Sequence, residues 1–463
     1  MKTTLKYIIV TTIVLGIVFA GSVAAKQRKL PSGAYIKTAK IHILSGDPER
    51  YEQAIAMLDS LFMNYGPHAE GLFWMSQIYV DYIDKTPDLV SRKKYVELMV
   101  AYNDSLKMCC ADKEIDKKNK KDCKKYIEKV DSTAVLYWRQ YYNDGIEQLN
   151  SFKVAKSDMA NETDSANIAY FGEQKQKYYD SCYRSMDLAI VLDSTNFKPY
   201  VVLGTLFEQD GNYEESNKWL EKALTFATGA EDRTTLLIQT AYNFINMNNY
   251  CKAIPYFQEY LALSPEDIDN ARNLTICYNK CEMFDSAYTL NRRLLEKSPN
   301  DANVISGIGL YWEQQARFAS DSATAHREAG DETGAADWRD KRQGYFDSSR
   351  VYFKQVFELK PDDATAAQQY ALVTAILGNF EEAVVPFTRL TELESGNADH
   401  WTSLGDCNLN LARFQESASA YEKVIELEPN NLAILERLSD LYKELKQNAK
   451  LKDVEARIQA LKS

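Results

Sequence analysis

One interval governs this chain. Prolines that close apolar segments return at a fixed step of roughly 34 residues. Pro265 and Pro299 stand one step apart, and Pro361, Ser395 and Pro429 keep the same step. Between these marks one pattern recurs: an amphipathic stretch, a turn, a second amphipathic stretch and a stop. The stops "YLALSPED", "LLEKSPND", "VFELKPDD" and "VIELEPNN" are four copies of one helix ending, with proline placed where it cannot continue the hydrogen-bond ladder. The corners "DGNYEES", "MNNYCKA", "LGNFEEA" and "LARFQES" are likewise versions of one turn. Such a period describes a helical unit that buries its apolar face only against its neighbours. The fold expected is all-α, growing in one dimension, so a domain count from length does not apply. The 463 residues include only 19 Gly and 11 Pro, fewer than the tight turns of a β-rich fold would use.

Within the period the same residue types recur. Tyr200, Leu203, Gly204 and Phe207 occupy a first stretch, and Ser216, Leu220 and Ala223 a second. Leu237, Ala241 and Phe244 precede Ala253, Phe257 and Tyr260; Trp401, Leu404 and Gly405 precede Ser417, Tyr421 and Val424. Small residues let paired helices approach closely, and aromatics fill the space beside them. In spacing and residue type this resembles the tetratricopeptide repeat, a helix–turn–helix unit. The resemblance implies a right-handed α-solenoid of stacked hairpins, whose first helices line a concave face that holds an extended segment or helix of another protein.

Clean units fall at about 197–230, 234–267, 268–301, 364–397 and 398–431, and a last one at 432–463 ends in a Lys-rich helix that would cap the stack with a polar face. An early unit covers about 35–68, and another begins at 69. The organisation expected is an export segment or anchor at 1–25, irregular repeats over 26–196, regular units over 197–301, a unit with an insertion near 313–345 inside 302–363, and regular units with a cap over 364–463. Pro299 to Pro361 covers nearly two periods yet carries the signals of one unit, so 313–345 reads as lengthened helices around a loop. The long unit near 132–196 contains "NSFKVAKSDMANETDSAN", read as a polar linker between helical segments. The unit from 69 contains "ADKEIDKKNKKDCKKYIEKV", with eight Lys against five acids. That stretch reads as a solvated helix or loop, with a basic docking surface as the alternative. Insertions in a solenoid carry what is particular to a protein, so 313–345 and 80–130 are the expected specific parts.

The resemblance also implies which side chains face the groove: Thr205, Glu208, Tyr242, Asn246, Arg272, Asn279, Asp406 and Asn410. The solvated side of the first helices would fall on the same residues. A subclass of the family grips a C-terminal carboxylate with a Lys/Asn/Arg clamp; Val201, Thr205, Ile238 and Tyr242 stand at the matching places, so that clamp is not expected.

Chemistry of other kinds has little to rest on. The four histidines are scattered, and there is no His-Glu-x-x-His and no Cys-x-x-Cys, so neither a metal nor a cofactor is expected. Ser306-Gly307-Ile308-Gly309 looks faintly like a phosphate loop, but no strand precedes it, and Gly309 falls where the repeat puts its small residue. A net charge of −11 argues against nucleic acid as a partner. Of eight cysteines, Cys251 opens the second helix of one unit and Cys281 closes the first helix of the next. Antiparallel packing would bring them together as a disulfide. Cys109 or Cys110 with Cys123 is the second candidate pair, and Cys182 and Cys407 read as small buried apolar residues.

The N-terminus begins with Lys2 and Lys6, continues as an uncharged run from Tyr7 to Ala25, and holds Ser22-Val23-Ala24 as a cleavage site. It reads as a secretory signal. The alternative is an uncleaved anchor, because an uncharged run of that length nearly spans a bilayer. Either places the body outside the cytoplasm, in a periplasm or cell envelope, with membrane contact only if the segment is retained. The function expected is a non-catalytic scaffold for another protein in an envelope assembly. The alternatives are a module for a soluble peptide or glycan, with Tyr and Trp as stacking platforms, and an enzyme with its site in an insertion.

Overall fold

The computed structural model describes residues 29–462; the segment 1–25 expected to direct export lies outside them. The described residues form twenty α-helices and no strand. They divide into two compact units, the first ending at Met247 and the second beginning at Asn248. The boundary thus lies inside the span read as regular repeats over 197–301.

In the first unit, α1 (Ser32–Ile43) pairs with α2 (Pro48–Tyr65), and α3 (Ala69–Lys85) with α4 (Leu89–Ala111). The long helices α5 (Cys123–Asn161) and α6 (Ser165–Leu192) pack along each other, followed by α7 (Phe197–Gln209), α8 (Tyr213–Phe226) and α9 (Ala230–Asn246). The second unit runs through α10 (Tyr250–Leu263), α11 (Ile268–Lys280), α12 (Phe284–Lys297), α13 (Ala302–Glu328), α14 (Glu332–Leu359), α15 (Ala364–Ile376), α16 (Phe380–Leu393), α17 (Ala398–Asn410), α18 (Phe414–Leu427), α19 (Leu432–Glu444) and α20 (Asn448–Lys462). In each unit, helices adjacent in sequence are adjacent in space, so each unit is an α-solenoid of stacked hairpins. Val454 is the one buried residue of α20, which leaves its outer side polar.

The recurring stop has two jobs. Its proline follows one helix, and its last residue caps the next. The side chains of Asp267, Asp301, Asp363 and Asn431 each accept a backbone N–H from the first turn of α11, α13, α15 and α19, satisfying donors that the helix itself leaves open. Asn397 does the same for α17.

Inside a hairpin, the small residue of the first helix meets the second helix. A Cβ on Gly204 would lie 2.6 Å from Leu220 Cδ2, and one on Gly309 2.6 Å from Phe353 Cε1; on Gly405 it would run into the Tyr421 ring. The carbonyls of these three glycines accept hydroxyl hydrogen bonds from Ser216 (2.7 Å), Ser349 (2.9 Å) and Ser417 (2.9 Å). The carbonyl oxygen already accepts within its own helix, and the buried serine uses its second lone pair. Gly309 therefore serves packing, as its place in the period predicted.

The stretched units differ from expectation in one respect. The 313–345 insertion is indeed two lengthened helices, joined by a short turn at Gly330. The linker expected around 150–167 is almost wholly helical: α5 runs to Asn161 and α6 starts at Ser165. Polar composition marked an exposed helix face there rather than a loop.

Both cysteine pairings involve a choice that geometry makes. Cys251 and Cys281 are bonded, with Cα atoms 5.6 Å apart. Cys123 is bonded to Cys110, not to Cys109. Successive residues on a helix point about 100° apart, so only one of the pair on α4 can face the loop. Cys109 instead enters the core, where burial pushes its thiol up to about 11. Cys182, Cys277 and Cys407 are buried thiols as well.

Candidate protein-binding site

The first helices of a hairpin array have one face against their partners and one left over. The residue after the close-packed small residue marks that open face: Thr205 and Tyr242 in the first unit; Ile276, Leu310, Leu372 and Asp406 in the second.

Several residues read from the sequence as groove-facing are engaged with the neighbouring repeat. Gln239 of α9 donates to Glu208 of α7 and lies 3.5 Å from the Thr205 hydroxyl. The Arg272 guanidinium on α11 donates through Nε to Asp301, the cap of α13, at 2.7 Å, and also to Asp269. Asp406 accepts from the Tyr421 hydroxyl and from Arg437 of α19, and burial, with that bond, pushes Tyr421 up to about 12. Asn410 donates to the Asp406 carbonyl within its own helix at 2.8 Å. Tyr242 and Asn246 are exposed on α9, and Asn279 is half-buried on α11. The structure thus brings Thr205 with Glu208, and Asp406 with Asn410. It gives Glu208, Arg272 and Asp406 the work of joining successive repeats.

Sequence reasoning missed the aliphatic members of the same register. Ile276, Leu310 and Leu372 are 48%, 41% and 45% exposed, and Ile376 and Leu409 are exposed one turn further along α15 and α17. Single exposed apolar residues are ordinary. Here they stand at one position of consecutive first helices, which polar contacts hold side by side. Arg272 lies one turn before Ile276 and bonds to the cap of α13. The Ser306 hydroxyl, one turn before Leu310, lies 3.2 Å from Gln369 Oε1, one turn before Leu372. The signal was available: Ile276 and Leu310 repeat Tyr242 at the step of the prolines, and Leu372 precedes Asp406 by the same step.

Several aromatic side chains of the second unit pack on one another. Tyr288 and Tyr311 stack with centroids 4.2 Å apart, and Trp312 stacks on Tyr345 at 5.7 Å. Burial, with a hydrogen bond to Asp285, lifts the Tyr311 hydroxyl to about 12. Among the described residues no three His, Cys, Asp or Glu side chains gather as a metal site.

The repeat is shared with known proteins. The tetratricopeptide repeat family matches at residues 197–228 and 398–431. The photosystem I assembly protein Ycf3 of Prochlorococcus marinus subsp. pastoris is 26% identical over 119 residues, 25% of this chain. The chain spans 61% of the length of that relative. Among solved structures, the thermophilic TPR protein TTC0263 of Thermus thermophilus aligns at 19% identity and a TM-score of 0.29, over 46% of this chain and 98% of its own. MamA of Desulfovibrio magneticus RS-1 aligns at 17% identity and a TM-score of 0.32, over 44% and 97%.

Proposed function

The chain belongs to the tetratricopeptide-repeat family, and from that premise we propose that it is an exported protein-binding scaffold, holding an amphipathic segment of a partner protein in a cell-envelope assembly. The segment lies along the open face of the first helices in the second unit. The observation that carries the proposal is the row Ile276, Leu310 and Leu372. A merely solvated face would gain nothing from three aliphatic side chains at one register, whereas a partner's apolar side chains would remove them from water. The flanking Arg272–Asp301 and Asp406–Arg437 pairs supply a polar rim. A relative named for assembly supports the class of work. Export is supported by the N-terminal sequence and by two disulfides, which persist in oxidising compartments.

The test is crosslinking in intact cells followed by purification of the full chain. The triple variant Ile276→Asp, Leu310→Asp, Leu372→Asp should lose a partner that the parent retains, with an unchanged melting temperature. Undiminished recovery of the same partner would remove the binding face. N-terminal sequencing of the mature chain, with its cell fraction, tests export separately.

A further inference from the structure

The basic stretch that joins α4 to the first turn of α5 has no part in that face. Residues 112–125 hold seven Lys and four acids in a chain whose net charge is −11. Lys113, Lys117, Lys118, Lys121 and Lys125 are exposed and Lys120 is half-exposed. Among the described residues no ion pair involves any of these six. Two of the acids bond to the loop's own backbone: Asp112 accepts the Glu114 N–H at 2.8 Å and Asp116 the Lys118 N–H at 3.3 Å. The loop is also held in place. The Cys110–Cys123 disulfide closes its base, and the Asn119 carbonyl accepts the Ala69 N–H at the start of α3 at 2.9 Å. Its positive charge is therefore displayed on a fixed surface.

What faces that surface follows from where the chain enters. The Tyr65 hydroxyl donates to the Leu30 carbonyl at 2.7 Å, and Lys29 lies 4.5 Å from the Tyr65 ring centroid. Shortly beyond Tyr65, Ala69 bonds to the loop. Lys29 and the lysine loop thus share one end of α1, α2 and α3. Upstream of Lys29 stand Lys26, Gln27 and Arg28, and before them the uncharged run Tyr7–Ala25. The short link from Ala25 to Lys29 reaches at most about 14 Å, so a bilayer taking up that run would lie close to the loop.

We propose that the disulfide-closed loop 112–125 docks on the anionic headgroups of a lipid bilayer. The attraction is electrostatic. Lysines near an anionic surface each strengthen binding, and salt screens them beyond roughly 10 Å at 0.1 M.

The experiment measures partition of the full chain onto vesicles of phosphatidylcholine, and onto the same vesicles carrying phosphatidylglycerol. The N-terminal segment carries Lys2, Lys6, Lys26, Arg28 and Lys29 and adds to the anionic increment in every variant, so the readout is the share of that increment that the loop lysines carry. Partition onto the anionic vesicles should be at least about tenfold higher at low salt, and the increment should vanish at high salt. Replacing Lys113, Lys117, Lys118, Lys120, Lys121 and Lys125 by Gln should lower the increment at least about tenfold, with helical circular dichroism and melting unchanged. Equal partition onto both vesicles, or an increment as large in the six-fold variant as in the parent, overturns the proposal. Loop-dependent binding to heparin without a vesicle increment overturns it too, because the partner would then be a soluble polyanion.

Discussion

The hairpin of α17 and α18 and the hairpin of α13 and α14 do the same job at different lengths. In the short one, Ser417 bonds to the carbonyl of Gly405 across 12 residues; in the long one, Ser349 bonds to that of Gly309 across 40. The difference, 28, is divided equally. α17 and α18 have 13 and 14 residues, and α13 and α14 have 27 and 28. Each arm doubles, gaining about 3.9 turns, so every side chain below the insertion returns to nearly the same angle. The added arms meet through Ala316, Ala319 and Ala323 on one side and Ala335 on the other, all buried. Small side chains at helical spacing let two extra stretches of helix lie close without disturbing the base. The first unit has a related close approach: a Cβ on Gly145 of α5 would lie 2.0 Å from Met186 Cε and 3.3 Å from the Ser185 Cβ of α6, and Ser185 stands as far along the chain from Gly145 as Ser349 from Gly309. A solenoid accepts an insertion that adds near-whole turns to both arms.

That comparison can be broken most severely by lengthening or shortening one arm alone. Deleting residues 315–328 should abolish the cooperative thermal transition of the second unit, because the two arms can no longer pair. Deleting 315–328 together with 332–345 should preserve it, leaving the Gly330 turn on a hairpin of ordinary length. Failure of the double deletion to melt cooperatively would show that the arms are needed for folding. Next in size, Gly309→Val and Gly405→Val should each lower stability in urea by about 3 kcal/mol, since both glycines touch a ring on the partner helix. Gly344→Ala, where a Cβ meets nothing within 4 Å, should raise it by up to about 1 kcal/mol. Ser349→Ala and Ser417→Ala should cost about 1 kcal/mol each, and the shared geometry requires the two losses to match. Effects of similar or smaller size are expected at the turns. Ala412 and Gly330 have φ of 55° and 79°, the left-handed region that a Cβ disfavours. Ala412→Gly should stabilise by about 0.5 kcal/mol and Gly330→Ala should destabilise by about 1 kcal/mol, both read from the urea midpoint.

The period made the hairpins legible because it reflects a contact that must recur. Gly204, Gly309 and Gly405 were readable as small residues at one place, and Gly309 kept its meaning despite the insertion. Gly145 was not readable in the same way: its partner Ser185 stands far along the chain, with no intact period on either side. The register of the first helices was legible in the sequence, and the contacts made along it were not. Thr205, Tyr242 and Asp406 share their place on the first helices with Ile276, Leu310 and Leu372, whereas Glu208, Arg272 and Asp406 bond to neighbouring repeats. The aliphatic residues at the same place are the ones left open to water.

Sequence by itself determined the helical hairpins, their caps and the stretches that depart from the period. Those depend on contacts within one period or between adjacent ones, and such contacts leave a spacing in the chain. Tertiary structure decided which cysteine of Cys109 and Cys110 bonds Cys123, which charged residues are satisfied by the next repeat, and that the lysine loop shares an end with the point of chain entry. Each of those depends on the direction in which a side chain or loop points after packing, and direction is set by neighbours that no local pattern records.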